Sequence, residues 1–291
     1  MKVAVVGPGA VGAVVAAALH NAGRMMALYG RTARDSLEVR RDGEVSIVVP
    51  GPVVTDPEAA RGPVEVVFLA VKSTQIETAG LWLAGLCGPD TVVCVLQNGV
   101  EQVAMVSPFA VGAQVIPSVI WFAAETQPAG WVWLRGDQRL SVPAGSAGQT
   151  VADALADTLC TVELSADFTT QTWHKLMLNA VAGLMALTGR RSLMFRHPAA
   201  ACLAEAYLRE CLAVARAEGA QLPDELPAQI VEMFGRQDMG TSILVDRLAG
   251  RPMEWEIRNG VILHRAAAHG LSAPISEIIV ALLAVASEGP G

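Results

Sequence analysis

The chain has 291 residues, enough for two ordinary domains, and with 52% hydrophobic and 17% charged residues it can bury a large core, which excludes a disordered protein. Its net charge of -7 argues against nucleic acid or an anionic membrane as a partner, although one basic pocket could still hold an anionic ligand. The apolar stretches, such as 181–187, fall short of the roughly 20 residues of a spanning helix.

The chain opens on a β-branched run over 2–6, which predicts a buried parallel strand. Gly7-Pro8-Gly9-Ala10-Val11-Gly12 follows at once, then an Ala-rich helix over 13–21 and a second strand over 25–29. Three glycines at this spacing, between strand and helix, form a dinucleotide-binding fingerprint. Gly7 permits the turn, Gly9 lets the backbone approach a pyrophosphate, and Gly12 lets the helix pack closely. The exposed N–H groups at the helix start, on Ala10, Val11 and Gly12, suit the phosphate charge. The second strand ends Leu28-Tyr29-Gly30-Arg31-Thr32, with no acidic residue before Asp35. A carboxylate there would favour NAD. The Arg31 guanidinium favours the 2′-phosphate of NADP, unless it is a solvated surface arginine.

Short strands over 36–54 broken at Asp42-Gly43 and Pro50-Gly51-Pro52, a strand over 64–71, a helix over 74–86 and a strand over 91–96 continue the alternation. They describe a Rossmann domain. Lys72 and Asn98 then fall at strand ends, where a cofactor lies in such folds. The alternatives are a snorkelling surface lysine and, for Asn98-Gly99, a plain turn. Aromatic-bearing runs over 114–145 predict antiparallel strands at the sheet edge. A helix over 147–159 and a strand over 162–164 close the half, and the boundary is expected near 166, giving domains 1–166 and 167–291.

Beyond it the periodicity is helical, with helices expected over 168–187, 198–219, 224–234, 242–248, 254–269 and 276–287. Two segments carry unusual polar residues. Lys175 and Asn179 share one face of the first helix, with Gly183 continuing it. A cation and an amide pointing together suit a polarised carbonyl and a hydroxyl, and the alternative is a solvated face. The second segment interleaves Ser242, Asp246, Arg251, Glu254, Arg258 and Asn259 with apolar residues. There Ser242 could cap a helix, and Glu254 could pair with Arg251 or Arg258 on the surface.

Together these features resemble the ketopantoate reductase family over almost the whole chain. The matching pieces are Gly7–Gly12, Arg31, Ala70-Val71-Lys72, Gln97-Asn98-Gly99, Trp173-x-Lys175 with Asn179, Ser242-Ile243-Leu244, Gly250-Arg251-x-x-Glu254 and Asn259-Gly260. The resemblance implies an α/β Rossmann domain that binds NADPH, followed by an all-helical domain that closes over a small 2-oxo acid, like that of 6-phosphogluconate dehydrogenase. It implies reduction of 2-dehydropantoate to pantoate, a step of pantothenate biosynthesis. Lys175 would be the general acid, Glu254 would hold the substrate hydroxyl, Ser242 its carboxylate, and Asn179 another oxygen. Lys72 and Asn98 would contact the cofactor, and Asn98 the substrate as well. Other readings are a related reductase with a different carbonyl substrate and an NADP(H)-sensing regulator without catalysis.

One departure stands out. Gly183 and Leu184 occupy positions where that family's helix usually carries asparagine and proline, which predicts extra room beside Lys175 and weaker use of ketopantoate. The five cysteines (Cys87, Cys94, Cys160, Cys202 and Cys211) form no C-x-x-C, and each is expected to be a small buried hydrophobe. Neither they nor the five histidines have the spacing of a metal site. The odd cysteine count and the lack of a leader pattern lead to the expectation of a soluble cytoplasmic protein, and the sequence allows a homodimer.

Overall fold

The computed structural model describes residues 1–288, as two compact units, Met1–Phe168 and the chain from Thr169 onward. In the first unit, β1 (Val3–Val6), α1 (Ala10–Asn21) and β2 (Met26–Tyr29) form the opening β-α-β, followed by β3 (Ser36–Arg41), β4 (Ile47–Pro50) and β5 (Val53–Val54). Then come β6 (Val66–Leu69), α2 (Ile76–Leu86), β7 (Val92–Val95), the short α3 (Gln102–Val106) and β8 (Gln114–Pro117). The strands β9 (Val119–Ile120), β10 (Ala123–Thr126), β11 (Val132–Arg135) and β12 (Arg139–Pro143) lead to α4 (Ser146–Leu155) and β13 (Thr161–Ser165).

Six strands form an all-parallel sheet in the order β5-β2-β1-β6-β7-β8. By chain order within the sheet this is 3-2-1-4-5-6, the doubly wound dinucleotide-binding order. The central strands β1, β6 and β7 are buried at every position, as their unbroken apolar sequences require. Separate hydrophobic clusters cover the two faces, one built with α1 and α4 and the other with α2.

The region 114–145 differs from the sequence expectation. β8 is parallel to β7 and completes the main sheet. It is an edge strand buried only in part, so its residues alternate as a half-solvated strand would. The runs that follow leave that sheet. One small sheet, β10-β11-β3-β4, mixes parallel and antiparallel pairs, as does another, β13-β12-β9. Leu37, Val39, Val49, Val132 and Leu134 of the four-stranded sheet share a core cluster with α1. The helix is therefore covered on two sides, which explains why Gly12 through Leu19 are all buried and why it lacks a polar face.

α4 ends earlier than its composition suggests. Arg24 donates to the carbonyls of Asp153 (2.7 Å), Ala154 (2.8 Å) and Ala156 (2.6 Å), satisfying the helix C-terminus, and Asp157 beyond it takes φ 56°.

The second unit is helical: α5 (Phe168–Thr188), α6 (Pro198–Ala217), α7 (Leu226–Arg236), α8 (Ser242–Leu248), α9 (Val261–Ala268) and α10 (Pro274–Ser287). The helix expected over 254–269 is not continuous. Glu254 lies in irregular chain, and Glu256–Gly260 forms a π-helical turn ahead of α9. A 3-10 turn at Ser192–Arg196 was not foreseen. Cys94, Cys160 and Cys211 are buried as expected, whereas Cys87 is only partly buried and Cys202 is exposed on α6. A cysteine on a solvated stretch of an amphipathic helix gives no separate signal in composition. Among the described residues no helix is long and apolar enough to cross a membrane.

Arg24→Ala should destabilise the first unit by about 1–2 kcal/mol, because charged hydrogen bonds to three helix-terminal carbonyls are lost from a part-exposed site. Urea unfolding tests this, and an unchanged midpoint and slope would contradict it.

Candidate active site

β1, β2, β6 and β7 are parallel neighbours, so their C-terminal ends share one edge of the sheet. The glycine loop leaves from β1, Gly30-Arg31 from β2, Lys72 follows β6, and Asn98 follows β7. The strand order reverses between β1 and β6, the place where open α/β sheets bind ligands.

The three glycines of the loop differ in what they make possible. Gly7 has φ +83°, and a Cβ there would lie 2.6 Å from Val71 Cγ1. A Cβ on Gly12 would lie 2.5 Å from the Gly7 carbonyl oxygen and 3.1 Å from Ala70 Cβ, so α1 sits hard against the loop and the end of β6. A Cβ on Gly9 would meet no protein atom within 4 Å. Packing therefore does not require glycine at position 9, whereas a ligand lying against the backbone does. Gly9 is also the N-cap of α1; no side chain caps the helix, and its first turn carries no acid. This arrangement fits a pyrophosphate received by the backbone N–H groups of Ala10, Val11 and Gly12.

Arg31 is exposed at the end of β2, the position a 2′-phosphate would need. Lys72 and Asn98 are both partly buried, and two buried glutamines hold their loops. Gln97 Nε2 donates to the Val71 carbonyl at 2.8 Å. Gln102 Nε2 donates to the carbonyls of Gln97 (3.1 Å) and Gly99 (2.7 Å). Sequence reasoning missed Gln102. Its only signal was a polar residue in an otherwise apolar short helix.

In the second unit, α5 changes character along its length. Residues 180–186 are all buried, while Lys175 and Asn179 are only partly so, one turn apart on the earlier stretch. His174 is half-buried beside Lys175. Burial, and secondarily the Lys175 charge, lower its pKa, which keeps the imidazole neutral near pH 7.

The room expected beside Gly183 is absent. A Cβ there would stand 2.8 Å from Asn259 Nδ2 and 3.1 Å from both Asn259 Oδ1 and Leu283 Cδ1. Asn259, fully buried, fills that place from the π-helical turn. Its Nδ2 donates to the Ala180 carbonyl and to the Tyr207 hydroxyl, both at 2.9 Å. Sequence comparison along one helix could not reveal that a different segment supplies an amide there.

The same turn carries Arg258. Arg258 Nη2 donates to Ser242 Oγ at 3.0 Å and lies 3.9 Å from Glu254 Oε2. Ser242 is the first residue of α8 rather than its N-cap, which is Thr241. The Glu254–Arg258 pair is not a surface ion pair, because the two side chains are 13% and 3% exposed. Arg251 pairs instead with Asp246, at 2.8 Å. Ser192 anchors the approach to α8. Its N–H donates to the Met239 carbonyl (3.1 Å), its hydroxyl donates to the Gln237 carbonyl (2.5 Å), and its Oγ accepts from Met239 N–H (2.8 Å). The structure thus brings Ser242 and Glu254 together through Arg258 and ties their segment to α5 through Asn259.

Two family models match the chain: "Ketopantoate reductase PanE/ApbA" over residues 3–164 and "Ketopantoate reductase PanE/ApbA C terminal" over residues 167–287. The chain belongs to the ketopantoate reductase family. It is 54% identical over 99% of both chains to a 2-dehydropantoate 2-reductase of Mycobacterium tuberculosis, and 37% identical to one of Caulobacter vibrioides, over 98% of this chain and 99% of that one. Its fold is that of a dimeric ketopantoate reductase from Staphylococcus aureus (TM-score 0.89, 24% identity, 99% of each chain). A D-mandelate dehydrogenase solved with NADH and anilino(oxo)acetate shares the fold too (TM-score 0.87, 21% identity, 99% of each chain).

In this member of the ketopantoate reductase family, Gly183→Ala should cost about 1–3 kcal/mol by overpacking against Asn259. That loss should prevail although an exposed helix would gain about 1 kcal/mol from the same change. Denaturant unfolding decides the sign, and a stabilised variant would contradict the close contact.

Proposed function

We propose that the chain reduces 2-dehydropantoate to pantoate with NADPH. Residues 1–166 would bind the cofactor and residues 167–291 the 2-oxo acid. The observation that carries this reading is the identity of 54%, sustained over 99% of both chains, with a 2-dehydropantoate 2-reductase.

On the cofactor side, the backbone around Gly7, Gly9, Ala10, Val11 and Gly12 would take the pyrophosphate, Arg31 the 2′-phosphate, and Lys72 and Asn98 further cofactor contacts. Asn98 would also reach the substrate. NADPH, when bound there, would supply the hydride for the ketone carbon. Negative charge then builds on the carbonyl oxygen, and the Lys175 ammonium neutralises it by giving up one proton, so the product is the 2-hydroxy acid. The lysine amine regains its proton from solvent. Asn179 would bond a substrate oxygen, Glu254 would accept from the substrate hydroxyl, and Ser242 would donate to the carboxylate. We further infer a cytoplasmic enzyme with a small-molecule substrate and no nucleic-acid partner, active as a homodimer.

Lys175→Ala should lower kcat about 10²- to 10⁴-fold with NADPH still bound, as expected for removal of a general acid. Single-turnover kinetics beside a cofactor titration tests this, and near-normal turnover would remove Lys175 from the mechanism. Wild type should prefer NADPH to NADH in kcat/KM, and Arg31→Ala should erase about 10- to 150-fold of that preference. An enzyme that prefers NADH would refute the role of Arg31.

A further inference from the structure

Arg258 is 3% exposed, so its charge is buried deep in the second unit. Burying a guanidinium costs several kcal/mol unless its donors are met. Here they are met only in part. Nη2 donates to Ser242 Oγ, the Glu254 carboxylate stands 3.9 Å from the same nitrogen, and buried Nε has no partner. Burial lowers the Arg258 pKa, and the carboxylates of Glu254 and Asp246 oppose that shift. A side chain serving stability alone would be poorly chosen, since an apolar residue of similar size fills such a place at less cost.

The direction of the hydrogen bond is informative. A guanidinium has donors and no acceptor, so Ser242 Oγ must accept from it. The serine proton is then left to point away from Arg258. Ser242 is itself exposed while the cation behind it is buried, so a proton pointing away from Arg258 is directed toward the exposed side of the residue. The backbone contributes as well. The Trp255 carbonyl accepts from the N–H groups of Arg258 (3.2 Å), Asn259 (2.7 Å) and Gly260 (3.1 Å), which makes the π-helical turn and buries Ile257 through Gly260 in succession. Wide turns of this kind are frequent at functional sites.

We propose that Arg258 is the positioning residue of the substrate site: it turns the Ser242 hydroxyl outward as a donor to a substrate carboxylate, and its charge holds the Glu254 carboxylate in place. The inference rests on the functional reading above. Arg258 touches neither substrate nor cofactor in this scheme and acts through Ser242 and Glu254.

The experiment compares wild type, Arg258→Met, Arg258→Lys, Ser242→Ala and the Arg258→Met/Ser242→Ala double variant. KM and kcat for 2-dehydropantoate, the Kd for NADPH and Tm are measured for each. Arg258→Met should raise KM about 10- to 100-fold, more than it lowers kcat, with NADPH affinity within about twofold of wild type. Arg258→Lys should recover part of that KM, since one ammonium can donate to Ser242 but cannot span both partners. Adding Ser242→Ala to Arg258→Met should change KM by less than about threefold, because the serine is already misdirected. A folded Arg258→Met protein with normal KM overturns the proposal, and so do effects that multiply in the double variant. If Arg258→Met does not fold, a normal KM in Arg258→Lys overturns it equally. A wild-type enzyme that does not turn over 2-dehydropantoate overturns the functional reading itself, and this inference with it.

Discussion

Asn259 can lie against α5 only because residue 183 has no side chain. The amide is fully buried, and such a group is tolerated only where its donors find partners. Both Nδ2 protons find them, in the Ala180 carbonyl and the Tyr207 hydroxyl, while the buried Oδ1 makes no hydrogen bond. That clamp fixes the π-helical turn against the helix that bears Lys175 and Asn179. Because Arg258 precedes Asn259 in the same turn, the clamp also sets where the cation stands beneath Ser242 and Glu254. The missing methyl group on α5 thus leaves the place that Asn259 takes, next in sequence to Arg258.

The first unit applies the same constraint at its glycine loop. Gly12 brings α1 within a Cβ of the loop, and Gly7 brings the loop within a Cβ of β6. These contacts place the N-terminus of α1 at the edge where the strand order reverses. The helix tolerates the squeeze because it is small-residue and apolar on all sides, packed between the parallel sheet and the four-stranded sheet. Nearby, the side chains of Gln97 and Gln102 perform the same task with hydrogen bonds, holding the loops that carry Lys72 and Asn98.

The sequence by itself determined the alternation of the first unit, the glycine loop with its turn, the helical character of the second unit, and the pairing of Lys175 with Asn179 on one face. Each of these is a local property: an apolar run, a fixed spacing or a period of 3.6 residues is legible without knowing what lies opposite. Only the tertiary structure decided what depends on partners distant in the chain. It made β8 a parallel edge strand, whose half-solvated alternation looks antiparallel when read alone. It broke the helix expected over 254–269 with a π-helical turn, because one carbonyl could take three N–H groups while Arg258 and Asn259 went inward. It put Glu254 in a buried pair where the residue spacing allowed a surface one. And it filled the space beside Gly183 with an amide from 76 positions away: a glycine in a sequence shows that a side chain is missing, and only the packed fold shows which atom has taken its place.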